Sequence, residues 1–93
     1  MSLHRVWYWA FVERDSKGRF IASVPDFEFL TAYGTTEKDA VAEVTRLVVE
    51  HVWSLVEGGQ SVPRASEASD LPSAIRSKEL DRVLIPVDIA ALR

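Results

Sequence analysis

Apolar residues near the start of the chain come in short runs with the alternation of strands, and after Thr36 they switch to spacings of three and four. Arg5 to Glu13 (RVWYWAFVE) is rich in aromatic and β-branched residues, as strands are. Asp15-Ser16-Lys17-Gly18 is turn chemistry, with Gly18 free to take a positive φ. Arg19 to Val24 resumes the strand pattern, so the two runs are predicted to form a hairpin. Pro25-Asp26 ends it, because proline has no N–H for a ladder. Phe29 to Gly34 predicts a third short strand.

A helix is predicted from Glu37 to Glu57. Thr36 is a suitable N-cap, and Asp39 stands where it can complete a capping box. Ala40, Val41, Val44, Leu47, Val48, Val52, Leu55 and Val56 form one apolar stripe. Gly58-Gly59 is C-terminal cap chemistry. Residues 60–81 shift to Ser, Ala, Glu and Pro and predict a surface connection, with a short helical turn over Leu71 to Arg76. Arg82 to Asp88 (RVLIPVD) predicts a last strand, at an edge because of Pro86. The expected fold class is α+β, with order βββαβ: a three-stranded antiparallel meander, a further edge strand and one long helix packed on one face.

One helix covers one face of a sheet, yet these strands are apolar on both. In the first run Trp7, Trp9 and Phe11 point one way while Val6, Tyr8, Ala10 and Val12 point the other. On the helix, Val49 and Trp53 are one turn apart and off the main stripe. Scattered surface aromatics need no explanation, but contiguous ones mark interfaces, where Trp is enriched. Trp7, Trp9, Phe11, Val49 and Trp53, ringed by Glu43 and Glu50, are therefore the candidate interface.

With 93 residues the chain is expected to be a single domain (1–93) whose own core is small, and self-association into a homodimer or higher homo-oligomer is the expected supplement. The absence of cysteine and the presence of only two histidines speak against a disulfide, a thiolate site or structural zinc. A net charge of −3 argues against non-specific nucleic-acid binding and suits a basic protein partner. No apolar run approaches the roughly 20 residues of a membrane span, so the expected location is cytoplasmic.

Candidate chemistry is thin. Glu13, Asp15 and Asp26 are carboxylates that could be imagined at a metal, but they fall at a strand end and in turns, where acidic residues serve local structure. His51 lies close to the helix stripe, which predicts a partly buried core histidine, and His4 is near the terminus. Ser23 and Ser61 have no nucleophile context, and Gly58-Gly59 follows a helix instead of cradling a phosphate at its start. No catalytic, metal or cofactor residue is expected.

The order Pro25-Asp26, Gly34, Thr36, Asp39-Ala40, Gly59, Val62-Pro63 and Leu84-Ile85-Pro86-Val87-Asp88 resembles the N-terminal module of the HicB-like antitoxins. The likeness covers about Tyr8 to Ile89. The chain departs from it at Glu28-Phe29-Leu30, where Pro-Gly-Cys is common, and at Thr35, where an acidic residue is common. The resemblance implies a truncated RNase H-like domain without catalytic carboxylates. It further implies a non-enzymatic antitoxin that masks a small, basic, mRNA-cleaving toxin of the HicA type. Many of those antitoxins continue into a DNA-binding domain; none is expected here, and no direct nucleic-acid contact is expected. Two other readings remain: an orphan structural or regulatory homo-oligomer without a toxin, and a reduced RNase H-like nuclease using Asp15 or Asp26.

Overall fold

The computed structural model describes residues 5–67 and 81–88. The elements run β1 (Arg5–Arg14), β2 (Phe20–Val24), a single 3-10 turn (Pro25–Phe27), β3 (Leu30–Gly34), α1 (Glu37–Glu57) and β4 (Asp81–Asp88). The predicted turn over Leu71–Arg76 lies outside the described residues, as does His4. The strands form one four-stranded sheet in the order β3-β2-β1-β4, with every pairing antiparallel. This is the α+β architecture expected from the pattern, and β4, which carries Pro86, is an edge strand. The amino-terminal half of β1 pairs only with β4, from Arg5↔Asp88 onward; Phe11 and Val12 pair with both neighbours, and Glu13 and Arg14 with β2 alone.

The β1–β2 turn is built around Asp15. Its carboxylate accepts the N–H groups of Lys17 (2.9 Å) and Arg19 (2.8 Å) and the Arg19 Nε (2.8 Å), while Gly18 takes φ +80°. Desolvation pulls the Asp15 pKa upward, but the hydrogen bonds from Arg19 and Lys17 outweigh it and hold the carboxyl below its ordinary value. The third strand starts one residue later than its composition predicts. Glu28 and Phe29 both occupy the left-handed region, at φ 56° and 59°, and ladder geometry resumes only at Leu30.

At the amino end of α1 the Thr36 hydroxyl accepts the Asp39 N–H (3.1 Å). The Asp39 carboxylate accepts from the Thr35 hydroxyl (3.2 Å), so the expected capping box is replaced by a Thr-Thr-Asp arrangement. Gly34 is the last residue of β3, where the strand pattern ends. A Cβ there would sit 2.9 Å from Asp39 and closer still to the Ala40 amide nitrogen, so it is space and not φ that excludes a side chain. At the carboxyl end the Gly59 N–H bonds the Val56 carbonyl (3.1 Å) and the Gln60 N–H bonds that of Leu55 (2.8 Å). This is a Schellman closure with Gly59 at φ +71°.

The core lies between α1 and one sheet face. Ala40, Val44, Val48 and Val52, spaced by four, are fully buried against Tyr8, Ala10 and Val12 of β1, Ala22 and Val24 of β2, Ala32 of β3, and Ile85 and Val87 of β4. Each valine so buried contributes roughly 1.5–3 kcal/mol. Val49, which spacing places off the stripe, packs partly against this core. His51 corrects the opposite way: it is exposed, with its ring edge-on to Phe27 at 5.6 Å. Phe27 reaches inward from the 3-10 turn and meets the Tyr8 ring edge-on at 4.7 Å.

After α1 the chain doubles back along the core. Val62 and Ala65 pack on it, the Tyr8 hydroxyl donates to the Pro63 carbonyl (2.7 Å), and Asp26 accepts from both the N–H (2.8 Å) and the hydroxyl (2.6 Å) of Ser66. Burial, with the Asp26 charge second, pushes the Tyr8 hydroxyl up to about 12, which keeps it a proton donor throughout the neutral range. The described part of the surface connection is thus strapped to the domain.

Candidate functional site

Two of the three candidate carboxylates hold local structure. Asp15 organises a turn and Asp26 ties down Ser66. Glu13 pairs in register with Ile21 on the sheet. Among the described residues, no group of three or more His, Cys, Asp or Glu is placed to hold a metal ion, and no helix is long and apolar enough to cross a membrane.

What the fold leaves over is two surfaces. The first is the sheet face turned away from α1. Register sets Trp7 opposite Pro86 and Trp9 opposite Leu84, and the alternation that sends Tyr8, Ala10 and Val12 to the core sends these outward. Trp7 is 46% and Leu84 42% exposed, Pro86 is exposed, and Trp9 is half-buried. Arg5 and Asp88 face each other at one end of this square of side chains. At the other end the Arg82 guanidinium lies over the rings of Phe11 (4.8 Å) and Trp9 (5.6 Å). Phe11 belongs to this face but is only 3% exposed, so it supports the surface from beneath. Tyr33, 52% exposed near the β3 edge, carries Arg19 over its ring at 4.8 Å.

The second surface is the outward side of α1. Trp53 is 47% exposed and forms a shallow recess with Val49, Glu50 and Ser54. Helical spacing sets Glu43, Glu50 and Glu57 along this side. Arg46 is the cation among them: its Nε donates to Glu43 (2.9 Å) and another of its nitrogens reaches Glu50. The hydrogen bond from Arg46 holds the Glu43 carboxyl below its usual value against a small opposing desolvation.

The residues singled out from sequence therefore divide. Trp7, Trp9 and Phe11 share the sheet face, whereas Val49, Trp53, Glu43 and Glu50 share the helix face, and the helix lies on the other side of the sheet. Glu43 and Glu50 ring Trp53 and not the β1 tryptophans. Leu84, Pro86, Arg82 and Glu57 complete the surfaces without having been singled out. The signal for the first three was the phase of β4 against β1, which needs the register; the signal for Glu57 was the seven-residue repeat Glu43-Glu50-Glu57, visible in the sequence itself.

No protein-family model matches the chain, and no curated protein matches it either. Among solved structures, the chain is similar to the N-terminal domain of the Burkholderia pseudomallei antitoxin HicB. The TM-score is 0.78 at 25% identity, over 89% of this chain and 99% of that one. It is also similar to the antitoxin HicB of the same organism, with a TM-score of 0.68 at 22% identity, over 89% of this chain. The chain spans 62% of that protein's length. The fold is that of a HicB-like N-terminal module.

Proposed function

We propose that this HicB-like module acts as the antitoxin of a type II toxin–antitoxin pair and inhibits by covering a surface, without catalysing a reaction. The observation that carries the reading is the outward side of α1. An exposed Trp53 beside Val49 is bordered by Glu43, Glu50 and Glu57 against the single cation Arg46. An apolar centre with an acidic rim fits a small basic protein, because rim charge steers the encounter and the buried aromatic supplies affinity. A HicA-type RNA-cleaving toxin, whose substrate requires a cationic surface, has the complementary chemistry. The fold likeness to a HicB antitoxin supports the same reading.

Co-expression with the product of the adjacent small open reading frame tests it. The expected result is that the small protein arrests growth alone, that this chain relieves the arrest, and that Trp53→Glu abolishes the relief while the variant accumulates as a folded protein. A neighbour that is toxic alone and equally toxic beside the wild-type chain overturns the reading.

A further inference from the structure

Four side chains form one row on the outward side of α1. Arg46, Glu50, Trp53 and Glu57 follow at spacings of four, three and four, so each stands beside the next on the helix surface. Arg46 holds Glu43 and Glu50. Trp53, 47% exposed, stands between Glu50 and Glu57 at a recess of about 390 Å³ that Val49 and Ser54 complete.

Elsewhere in the molecule aromatic rings carry guanidinium groups. Arg14 lies over Phe20 at 4.7 Å, Arg19 over Tyr33 at 4.8 Å, and Arg82 over Phe11 and Trp9 at 4.8 and 5.6 Å. Among the described residues no guanidinium lies over Trp53, and no cation pairs with Glu57. Ring and carboxylates are in place, and the cation is the missing part.

We infer that this row seats one arginine of a basic protein partner, with its guanidinium flat on the Trp53 indole between Glu57 and Glu50. Arg46 is the internal competitor that the incoming arginine displaces from Glu50. The inference rests on the partner-binding role proposed for α1 and gives that role its anchor. Arginine fits better than lysine because a guanidinium is planar and weakly hydrated. It can stack on the ring while its edge N–H groups reach carboxylates on either side. A lysine ammonium is a compact, strongly hydrated charge that gains less from the ring. An acidic segment or a nucleic acid meets like charge along the whole row. Arg46 also sets the strength of the contact, since it occupies Glu50 and adds a positive charge beside the seat.

The test uses the purified chain and a hexa-arginine peptide as probe. The indole N–H resonance of Trp53, assigned by its loss in Trp53→Phe, should move on titration while those of Trp7 and Trp9 stay. By calorimetry, Trp53→Leu should weaken binding by roughly three- to tenfold. Glu57→Gln should weaken it by roughly two- to fivefold. Glu13→Gln, which removes the same charge from the opposite sheet face, should leave it as it was. Arg46→Ala should tighten binding by roughly two- to fivefold, a direction that loss of a merely structural ion pair does not give. Hexa-lysine should bind several-fold more weakly. A Trp53 signal that hexa-arginine does not move overturns the inference. So does hexa-lysine binding as tightly, an Arg46→Ala variant that binds more weakly, or a loss in Glu57→Gln no greater than in Glu13→Gln. No toxin is needed for these measurements, so the two readings fail separately. Peptide binding at Trp53 by a chain that relieves no toxicity supports the arginine seat and sinks the antitoxin reading. Relief of toxicity by a chain whose Trp53 ignores the peptide does the reverse.

Discussion

The Asp26 carboxylate holds Ser66 with both oxygens, one on the backbone N–H at 2.8 Å and one on the hydroxyl at 2.6 Å. Forty residues separate the two, and α1 lies between them in the chain. Asp26→Ala should therefore loosen the segment after the helix and cost about 1.5–3 kcal/mol, the range for hydrogen bonds to a charged group. Urea unfolding measures the loss. A double-mutant cycle with Ser66→Ala should show coupling from the hydroxyl bond alone, because the backbone N–H bond survives that substitution.

Tyr8→Phe removes the other fastening. The Pro63 carbonyl loses its donor in a half-buried position, at about 1–3 kcal/mol. Hydrogen exchange should then report faster opening of residues 60–67 than of β1, since the Tyr8 ring packing against Phe27 is kept.

Gly34→Ala inserts a methyl against the first turn of α1. Backbone, and not a flexible side chain, stands in its way, so the helix must shift. A cost of about 1–3 kcal/mol, as for overpacking, is expected in chemical denaturation.

Phe29→Gly should act in the opposite direction. Phe29 is held at φ 59° and its ring is half exposed, so glycine relieves backbone strain while giving up little packing. A gain of about 1 kcal/mol is expected. Paired with an unchanged mass in solution, it would show that the strained residue has no part in assembly.

The start of α1 and the start of β4 meet through two carboxyls. Glu37 is held above its ordinary value first by a hydrogen bond to Asp81, then by desolvation and the Asp81 charge. Asp81 is held below its own by that same hydrogen bond and by the Arg82 N–H. The raised Glu37 contributes stability that is complete below its unfolded pKa and is lost as pH rises through its folded value. The lowered Asp81 contributes stability present above its unfolded pKa and lost as pH falls through its folded value. The pair thus helps most in a window that includes pH 3.8 to 4.5, the two ordinary values. Glu37→Gln should flatten this part of the pH dependence, because the amide keeps a donor for Asp81 at every pH. Thermal melts from pH 3 to 8 would show it.

The local elements were legible because their signals are local. Alternation over Arg5–Glu13, the Asp15–Gly18 turn, the Thr36 cap and the four-residue spacing of Ala40, Val44, Val48 and Val52 each lie within a few residues. The face of β1 that meets the helix was not legible, because Trp7-Trp9-Phe11 and Val6-Tyr8-Ala10-Val12 are both apolar. Side-chain size decides it. Ala10, Ala22 and Ala32 line the covered face and let Ala40 and Val44 come close, whereas tryptophans in that row would hold the helix away. The division of the candidate interface into two surfaces follows from the same choice. The Asp26–Ser66 fastening was out of reach for another reason: a hydrogen bond between residues forty apart leaves no periodic trace.

The strand order β3-β2-β1-β4 has a consequence for how the chain is made. β1 emerges first, yet its amino-terminal half has no partner until β4, at the far end of the described chain, arrives. During synthesis the hairpin and helix can assemble while Trp7 and Trp9 stand on a strand with one edge unpaired, which is the kind of segment that captures other chains. Closing so long a loop is a slow step. The last eight-residue strand is then the latch of the folding reaction, and a truncation that removes it should yield aggregates in place of a smaller domain.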